Sequence, residues 1–438
     1  MRRFATYLLA CLALLALWNE VLTYVYSTAT CHWPTADLSP STAASTAASA
    51  LPSSAYSPAQ PSAPPPSTAS SLASSTPTSS SASSASASTP PPAAVLNVLF
   101  FSDPQIQGTL WELPVVQRVT IRDADAYLWK TFQLARRFLS PDLVVVLGDL
   151  LDEGYPASAG AFEDYAARFR RIFAAPATVP LALLAGDNDI GGEGGDEPIT
   201  RKHTDRFERH FGSLDRSFRV RGQLFVQLNV LPLMSANATF RGPRCRELVL
   251  EVVRRIGGPF KGAYPILLMH VPFAYLPTHC NTAIMELVDP VHVFSGHTHE
   301  AKGGGGGTNP DGSPSNLLHS ERDIETVVPT MSYRMGTPRM AFGVASIFPG
   351  RPRRPRRPGR PGRLGRGGET GEGKGRGEEM MMMPSAPTIR YVTCSLPSRF
   401  TAFAQYGAFA AVALLLLCVR HCWPPNGPGR HRVGVKTI

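Results

Sequence analysis

Six short apolar runs, rich in β-branched and aromatic residues, recur through the middle of the chain: residues 97–102 (NVLFFS), 143–148 (LVVVLG), 180–186 (PLALLAG), 224–230 (LFVQLNV), 265–270 (PILLMH) and 291–296 (VHVFSG). Hydrophobicity that is continuous over so few residues predicts strands buried on both faces. The intervening segments have a different period. Leu128, Phe132, Ala135 and Leu139, and then Phe162, Tyr165, Phe169, Ile172 and Phe173, recur at helical spacing, so each helix has one apolar face to lay on a sheet. These stripes are core positions, and the expected architecture is a layered α/β fold.

Longer apolar runs lie near the two ends. Residues 4–18 (FATYLLACLALLALW) follow Met-Arg-Arg, and NEVLTYVY prolongs the run, giving an expected membrane anchor over residues 1–26; a cleaved signal peptide with Ser27-Thr28-Ala29 as its processing site is the rival reading. Residues 400–419 hold no charge and predict a transmembrane helix, with 420–438 as its tail. Basic residues flank the outer side of both runs, at Arg2 and Arg3 and again from Arg420, which predicts cytosolic termini and a luminal middle.

Composition divides what remains. Residues 35–94 are almost wholly Ser, Ala, Thr and Pro and cannot bury enough apolar surface to fold, so they are expected to be a linker. The expected domain spans 95–349 and includes a Gly-rich loop at 301–320; an Arg/Pro/Gly-rich insert follows at 350–384. From 351 to 379 that insert carries ten Lys or Arg against four Glu, a net +6 out of the chain's +10. The excess therefore lies in a solvated charge run without interleaved aromatics, and no nucleic-acid partner is expected. Cys31, Cys245, Cys280 and Cys394 would face an oxidising lumen, where three pairings are open, with Cys245 as a small buried hydrophobe the alternative. Asn237-Ala238-Thr239 is a glycosylation acceptor on the same side.

Polar residues cluster where the strands end. Asp103 and Gln105 follow the first run, Asp149 the second and Asp187 the third; His270 ends the fifth, and His297 and His299 follow the sixth. One Asp after a strand is ordinarily a turn or helix cap. Seven such residues at the ends of five runs are not, because strand ends are where α/β folds place their sites. Oxygen and imidazole donors without Cys suit Mn, Fe or Zn at a reactive centre. A carboxylate shared by two cations, the part expected of Asp149, would hold them about 3.5–4 Å apart, so that both the attacking and the leaving oxygen of a phosphoryl group could be clamped. His292, on an apolar strand, reads as a satisfied core residue.

In combination these blocks resemble the calcineurin-like metallophosphoesterase superfamily, whose motifs run D-x-H, G-D-x-x-[DE], G-N-[HD], H and G-H-x-H. More narrowly, FFSDPQIQG, LGDLLDEG, GDNDIGGE followed by RFERHFG, FSGHTHEA, VVPTMSYR and the early NEVLTYVY…CHWP resemble the membrane-bound metallophosphoesterases of the secretory pathway that trim ethanolamine phosphate from the mannoses of GPI anchors. The resemblance implies an αββα sandwich with a transmembrane helix at each end. It implies two divalent ions, manganese by family: one held by Asp103, Gln105, Asp149 and His299, the other by Asp149, Asp187, His270 and His297. Asp152 and Glu153 are expected only to orient or cap their neighbours. The implied activity is hydrolysis of a GPI glycan phosphodiester in the endoplasmic reticulum or Golgi, on a glycolipid or protein substrate. The alternatives are another luminal phosphomonoesterase or nucleotide-sugar phosphodiesterase, or an inactive metal-binding scaffold for cargo sorting.

Three residues depart from the pattern. Gln105 stands where the superfamily has His but still offers an amide oxygen. Asp187 stands where the superfamily has Asn, which keeps an oxygen ligand and adds charge. Asn188 stands where it has His, the residue thought to protonate the leaving oxygen, and an amide has no proton to give at neutral pH. Asn188, and Asp189 as a substitute acid, are the expected catalytic positions.

Overall fold

The computed structural model describes residues 2–35, 94–110, 114–192, 197–234, 243–300, 302–303, 307–308, 314–315, 324–350 and 385–422. Almost all of the expected linker and insert, Asn237, most of the Gly-rich loop and residues 423–438 lie outside them. The strands are β1 (Leu96–Phe101), β2 (Leu143–Val146), β3 (Leu181–Leu183), β4 (Arg216–Val220), β5 (Gln223–Gln227), β6 (Ile266–Leu268), β7 (His292–Ser295), β8 (Lys302–Gly303), β9 (Gly307–Thr308), β10 (Pro314–Ser315), β11 (Glu325–Val327), β12 (Ala341–Phe348) and β13 (Thr388–Ser395). Each of the six apolar runs forms a strand.

The strands build two main sheets, in the orders β13-β12-β1-β2-β3 and β4-β5-β6-β7-β11-β8. In the first, β1, β2 and β3 are parallel and β12 runs antiparallel to β1. In the second, β5, β6, β7 and β11 are parallel. Side-chain alternation then sorts the core into layers. Val98 and Phe100, Leu143 and Val145, Phe225, Ile266 and Leu268, and Phe294 meet in one cluster between the sheets, where the Phe100 and Phe294 rings stack at 4.1 Å. The opposite set, including Leu99, Phe101, Val144, Val146, Leu267 and Val293, packs outward in a second cluster that holds the helical stripes.

The helices supply those stripes: α1 (Arg2–Leu17), α2 (Thr23–Ala29), α3 (Pro114–Leu139), α4 (Ala159–Ile172), α5 (Asp187–Ile190), α6 (Arg201–Phe211), α7 (Leu231–Met234), α8 (Pro243–Arg255), α9 (Thr278–Val288) and α10 (Arg399–Cys422). Phe132 of α3 packs on Phe101 at 5.5 Å and on Phe173 at 4.9 Å, as the spacing requires. The result is the layered αββα sandwich. His292 is buried, with its Nε2 2.9 Å from Thr326 Oγ1, and burial depresses its pKa to about 4; it is a neutral core residue.

Sequence reading missed the outer strands of the first sheet. β13 pairs antiparallel with all eight residues of β12, so the sheet continues past the expected domain boundary at 349 and across the basic insert. Low complexity broke the pattern between the two strands, but chain closure in space did not depend on it. The cysteine pairing is Cys31 with Cys394 and Cys245 with Cys280. The first bond ties the end of the N-terminal helix to β13, and the second joins α8 to α9.

The end segments are helical over 4–29, interrupted by a π-turn at Trp18–Leu22, and over 399–420; both are long and apolar enough to cross a membrane. They meet the sandwich at one polar knot. Glu20 accepts from Lys130 Nζ at 2.6 Å and from Arg399 Nη1 at 2.5 Å, Arg399 also grips Asp123, and Tyr333 donates to Asp123 at 2.8 Å.

Candidate metal centre

The residues flagged at strand ends converge beyond the carboxyl ends of the parallel strands in both sheets. Asp103, Gln105, Asp149, His297 and His299 all sit at positive φ, between 43° and 67°. A non-glycine residue held there costs on the order of 1–3 kcal/mol and persists only where its surroundings over-determine it. Five such residues in the turns after β1, β2 and β7 fold the chain back sharply and aim their side chains into one place. Gly186 and Gly296 make room. A Cβ on Gly186 would lie 2.1 Å from Asp149 Oδ1, and one on Gly296 would lie 2.0 Å from Ser102 Oγ.

Two groups of donors share the site. Asp187 Oδ1 stands 3.0 Å from His270 Nε2 and 3.1 Å from His297 Nδ1. Asp103, Asp149 and His270 form the second group, and within each group the donor atoms all lie within 4.8 Å of one another. Asp149 Oδ1 is 3.5 Å from His270 Nε2, so Asp149 lies between the Asp103 side and the Asp187 side. His299 is the loosest member, with its Nε2 3.9 Å from Asp103 Oδ1 and 3.2 Å from Gln105 Nε2. The His270 tautomer follows from its neighbour: Nδ1 is 2.7 Å from the Leu147 carbonyl, which only accepts, so Nδ1 carries the proton and Nε2 faces the carboxylates.

The electrostatics call for cations. Asp103, Asp149 and Asp187 are each at most 4% exposed, and His270 is equally buried. Burial, reinforced by neighbouring Asp187, pushes Asp149 well above the usual carboxylate range. Asp187 goes the other way: burial would raise it, but hydrogen bonds to His270 and His297 hold it well below that range. His270 is raised, against burial, by Asp149 and Asp187. Asp103 Oδ1 is buried without a hydrogen-bond partner, while Oδ2 accepts from Ser102 Oγ and, at 3.2 Å, from the His297 amide. Three buried carboxylates, one with an orphaned oxygen, beside imidazoles whose ring nitrogens turn inward fit divalent metal ions.

Three expectations need correction in detail. Gln105 was to offer its amide oxygen; in this structure its Nε2 is the atom placed toward Asp149, donating to Oδ2 at 3.0 Å, so the amide here satisfies that carboxylate. Asp189 was to stand by as an acid. Its carboxylate instead accepts from the backbone amides of Leu150, Leu151 and Gly186 at 2.9–3.0 Å, and burial pushes it up to about 7 against their pull. It is a positioning residue that ties the β3 loop to the β2 loop. Asn188 does not project free: its amide N–H donates to Asp149 Oδ1 at 3.0 Å and its Nδ2 to Oδ2 at 2.9 Å. Two of the three departures from the superfamily pattern, Gln105 and Asn188, thus end on the same carboxylate oxygen.

Other supports were not legible at all. Thr330 donates to the Asp103 carbonyl at 2.9 Å, and the Tyr275 ring stands edge-on 5.3 Å from His297 at the exposed rim. Asp152 pairs with Arg334 at 2.9 Å, and Glu153 accepts from the Leu110 amide at 2.7 Å.

The family model of the calcineurin-like phosphoesterases matches residues 96–301, and this part of the chain is a calcineurin-like metallophosphoesterase domain. A protein named metallophosphoesterase 1 from Ailuropoda melanoleuca is 27% identical over 247 residues, covering 47% of this chain and 58% of its own length. Its namesake from Rattus norvegicus is 25% identical over 285 residues, 55% of this chain and 66% of its own. The chain therefore matches about three fifths to two thirds of the length of these relatives. A predicted phosphoesterase from Streptococcus pneumoniae TIGR4, known as a crystal structure, is 10% identical, covers 58% of this chain and 83% of its own, and superposes with a TM-score of 0.25. That score adds nothing to the fold read from the chain's own sheets.

Proposed function

We propose that the chain is a membrane-anchored phosphodiesterase of the early secretory pathway, dependent on two divalent ions, manganese by family resemblance, that hydrolyses ethanolamine phosphate from a mannose of the GPI glycan. The observation that carries this reading is the convergence of Asp103, Asp149, Asp187, His270 and His297 on one buried acidic site. Bound there, the ions would supply charge neutralisation for a phosphoryl group and an activated water. The chain's own part is to hold the ligands. Asn188 and Gln105 keep Asp149 in place, Asp189 fixes the loops, and the Leu147 carbonyl sets the His270 tautomer.

A lipid-linked substrate suits a domain joined to two helices of membrane-crossing length. Hydrolysis by the full chain in detergent, metal-stripped and then reloaded with Mn, is the test. Release of ethanolamine phosphate from a GPI glycan, with slower or no release from phosphomonoesters and nucleotide sugars, is expected. A metal-loaded chain inert on every ester points to the scaffold reading instead. The orientation reads both termini as cytosolic and Asn237 as luminal. Expression in microsomes should then give a mobility shift that endoglycosidase removes, and an unshifted protein with a protected C-terminal tag overturns it.

A further inference from the structure

Strand direction fixes which edge of the sandwich meets the terminal helices. β13 runs antiparallel to β12, and β12 antiparallel to β1, so β13 points the same way as β1, β2 and β3. Those three strands lead into Asp103, Asp149 and Asp187, whereas β13 leads into α10, which begins at Arg399. One edge therefore carries both the metal centre and the C-terminal helix. Phe100, Gly343 and Thr393 lie abreast, with Asp103 three residues beyond that line and Arg399 six. At about 4.8 Å between strands and at most about 3.4 Å per residue, Asp103 stands roughly 10 Å to the side of the start of α10 and no more than roughly 10 Å short of it.

Both helices are braced to this edge. The Cys31–Cys394 bond, the Arg399 contacts with Glu20 and Asp123, and the Tyr333 ring 6.0 Å from Phe400 hold them there. Thr330, three residues before Tyr333, donates to the Asp103 carbonyl, so one short segment reaches from the metal centre to the helix.

α3 connects β1 to the parallel β2, so it starts at the same edge and runs back from it. Its Asp123 meets Arg399, the first residue of the apolar span Arg399–Arg420. Val119 and Val116 lie about 6 and about 10 Å further along α3, on the edge side of Asp123. Both are exposed, at 69% and 45%, as is Leu110 at 51%. Arg118 and Arg122 stand exposed among them. Exposed apolar residues with interleaved bases, level with the start of an apolar span, have the chemistry of a bilayer interface. Continuity with α10, whose Phe400 and Phe403 are also exposed, makes lipid the occupant of this face.

We propose that the metal-bearing edge lies against the bilayer, with Leu110, Val116 and Val119 dipping into the lipid interface, so that the centre takes phosphoesters held close to the membrane surface. The inference rests on both terminal helices crossing a bilayer, and it deepens the hydrolytic reading by substrate class. The ester is lipid-linked and lies within roughly 15 Å of the surface, the reach that the strand spacing and register set.

Interfacial photolabelling of the unaltered full chain tests it. The chain is placed in phosphatidylcholine nanodiscs in which a fraction of the lipid carries a photoreactive group at its headgroup, irradiated, digested and mapped by mass spectrometry. Adducts at Leu110, Val116 and Val119 are expected to exceed those at Phe138 about tenfold, because Phe138, of comparable exposure, lies at the far end of α3, about 30 Å from Val119. Adducts as dense at Phe138 as at Val119, or none at any of the three apolar positions, overturn the proposal. Labelling needs no turnover, so a chain labelled at this edge yet inert on lipid-linked diesters loses the hydrolytic reading while the orientation stands. Where turnover is seen, two lipid-anchored ethanolamine phosphodiesters test the depth, one joined through a link within that reach and one through a far longer polymer. The nearer ester should turn over about tenfold faster, since a long spacer dilutes the ester away from the surface. Equal rates overturn the substrate class.

Discussion

Asp149→Ala should empty the centre. The full chain is expected to hold about two equivalents of divalent metal, and this one substitution should remove both, because Asp149 lies between the Asp103 side and the Asp187–His270–His297 side. Loss of affinity should exceed about 100-fold, the upper range for groups that merely support ligands. Gln105→Ala should behave differently. Its amide nitrogen holds Asp149 Oδ2 and approaches His299, so removing it should loosen the Asp103 side and leave one equivalent in place. Elemental analysis after dialysis against a fixed metal buffer separates the two. Two equivalents retained in Asp149→Ala would sink the bridging assignment, and loss of both in Gln105→Ala would make the amide as important as a ligand.

What made that site legible was position along the chain. A run of valines and leucines predicts a strand whatever surrounds it, and in a parallel layered fold every strand delivers its last residue to the same edge. Asp103, Asp149, Asp187, His270 and His297 could therefore be grouped before any coordinate was known. Conformation and partners could not be read the same way. Nothing in Asp-Pro-Gln or His-Thr-His announces positive φ, which is imposed by the packing of neighbouring turns. The direction of the Gln105 amide and the capture of Asp189 by three backbone donors depend on loops 39 to 44 residues apart in sequence. β12 and β13 escaped because a low-complexity insert separates them. The polar knot of Glu20, Arg399, Asp123 and Tyr333 explains something the motifs left open. NEVLTYVY and VVPTMSYR carry no expected ligand, yet Glu20 of the first and Tyr333 of the second meet through Asp123 and Arg399.

Asn188→His should raise turnover selectively. An alkoxide leaving group needs a proton as its bond to phosphorus breaks, and a positioned general acid is typically worth about 10²–10⁴ in rate. Asn188 has none to give. With His installed, an ethanolamine phosphodiester should turn over about tenfold faster or more, a fraction of that full range, while an aryl diester, whose phenolate departs unaided, should hardly change. The structure adds a competing demand, because Asn188 also donates its Nδ2 to Asp149 Oδ2 at 2.9 Å. Its backbone amide, 3.0 Å from Oδ1, survives any substitution, so the carboxylate keeps one of its two bonds from this residue. Asn188→Ala isolates the holding role: it supplies neither acid nor side-chain donor, and any fall in metal content belongs to the lost bond. If Asn188→His accelerates both esters equally at unchanged metal content, the residue acts in binding and not in proton delivery. If it empties the centre as Asn188→Ala does, then the amide that replaced the superfamily histidine serves to hold Asp149, and the leaving oxygen takes its proton elsewhere.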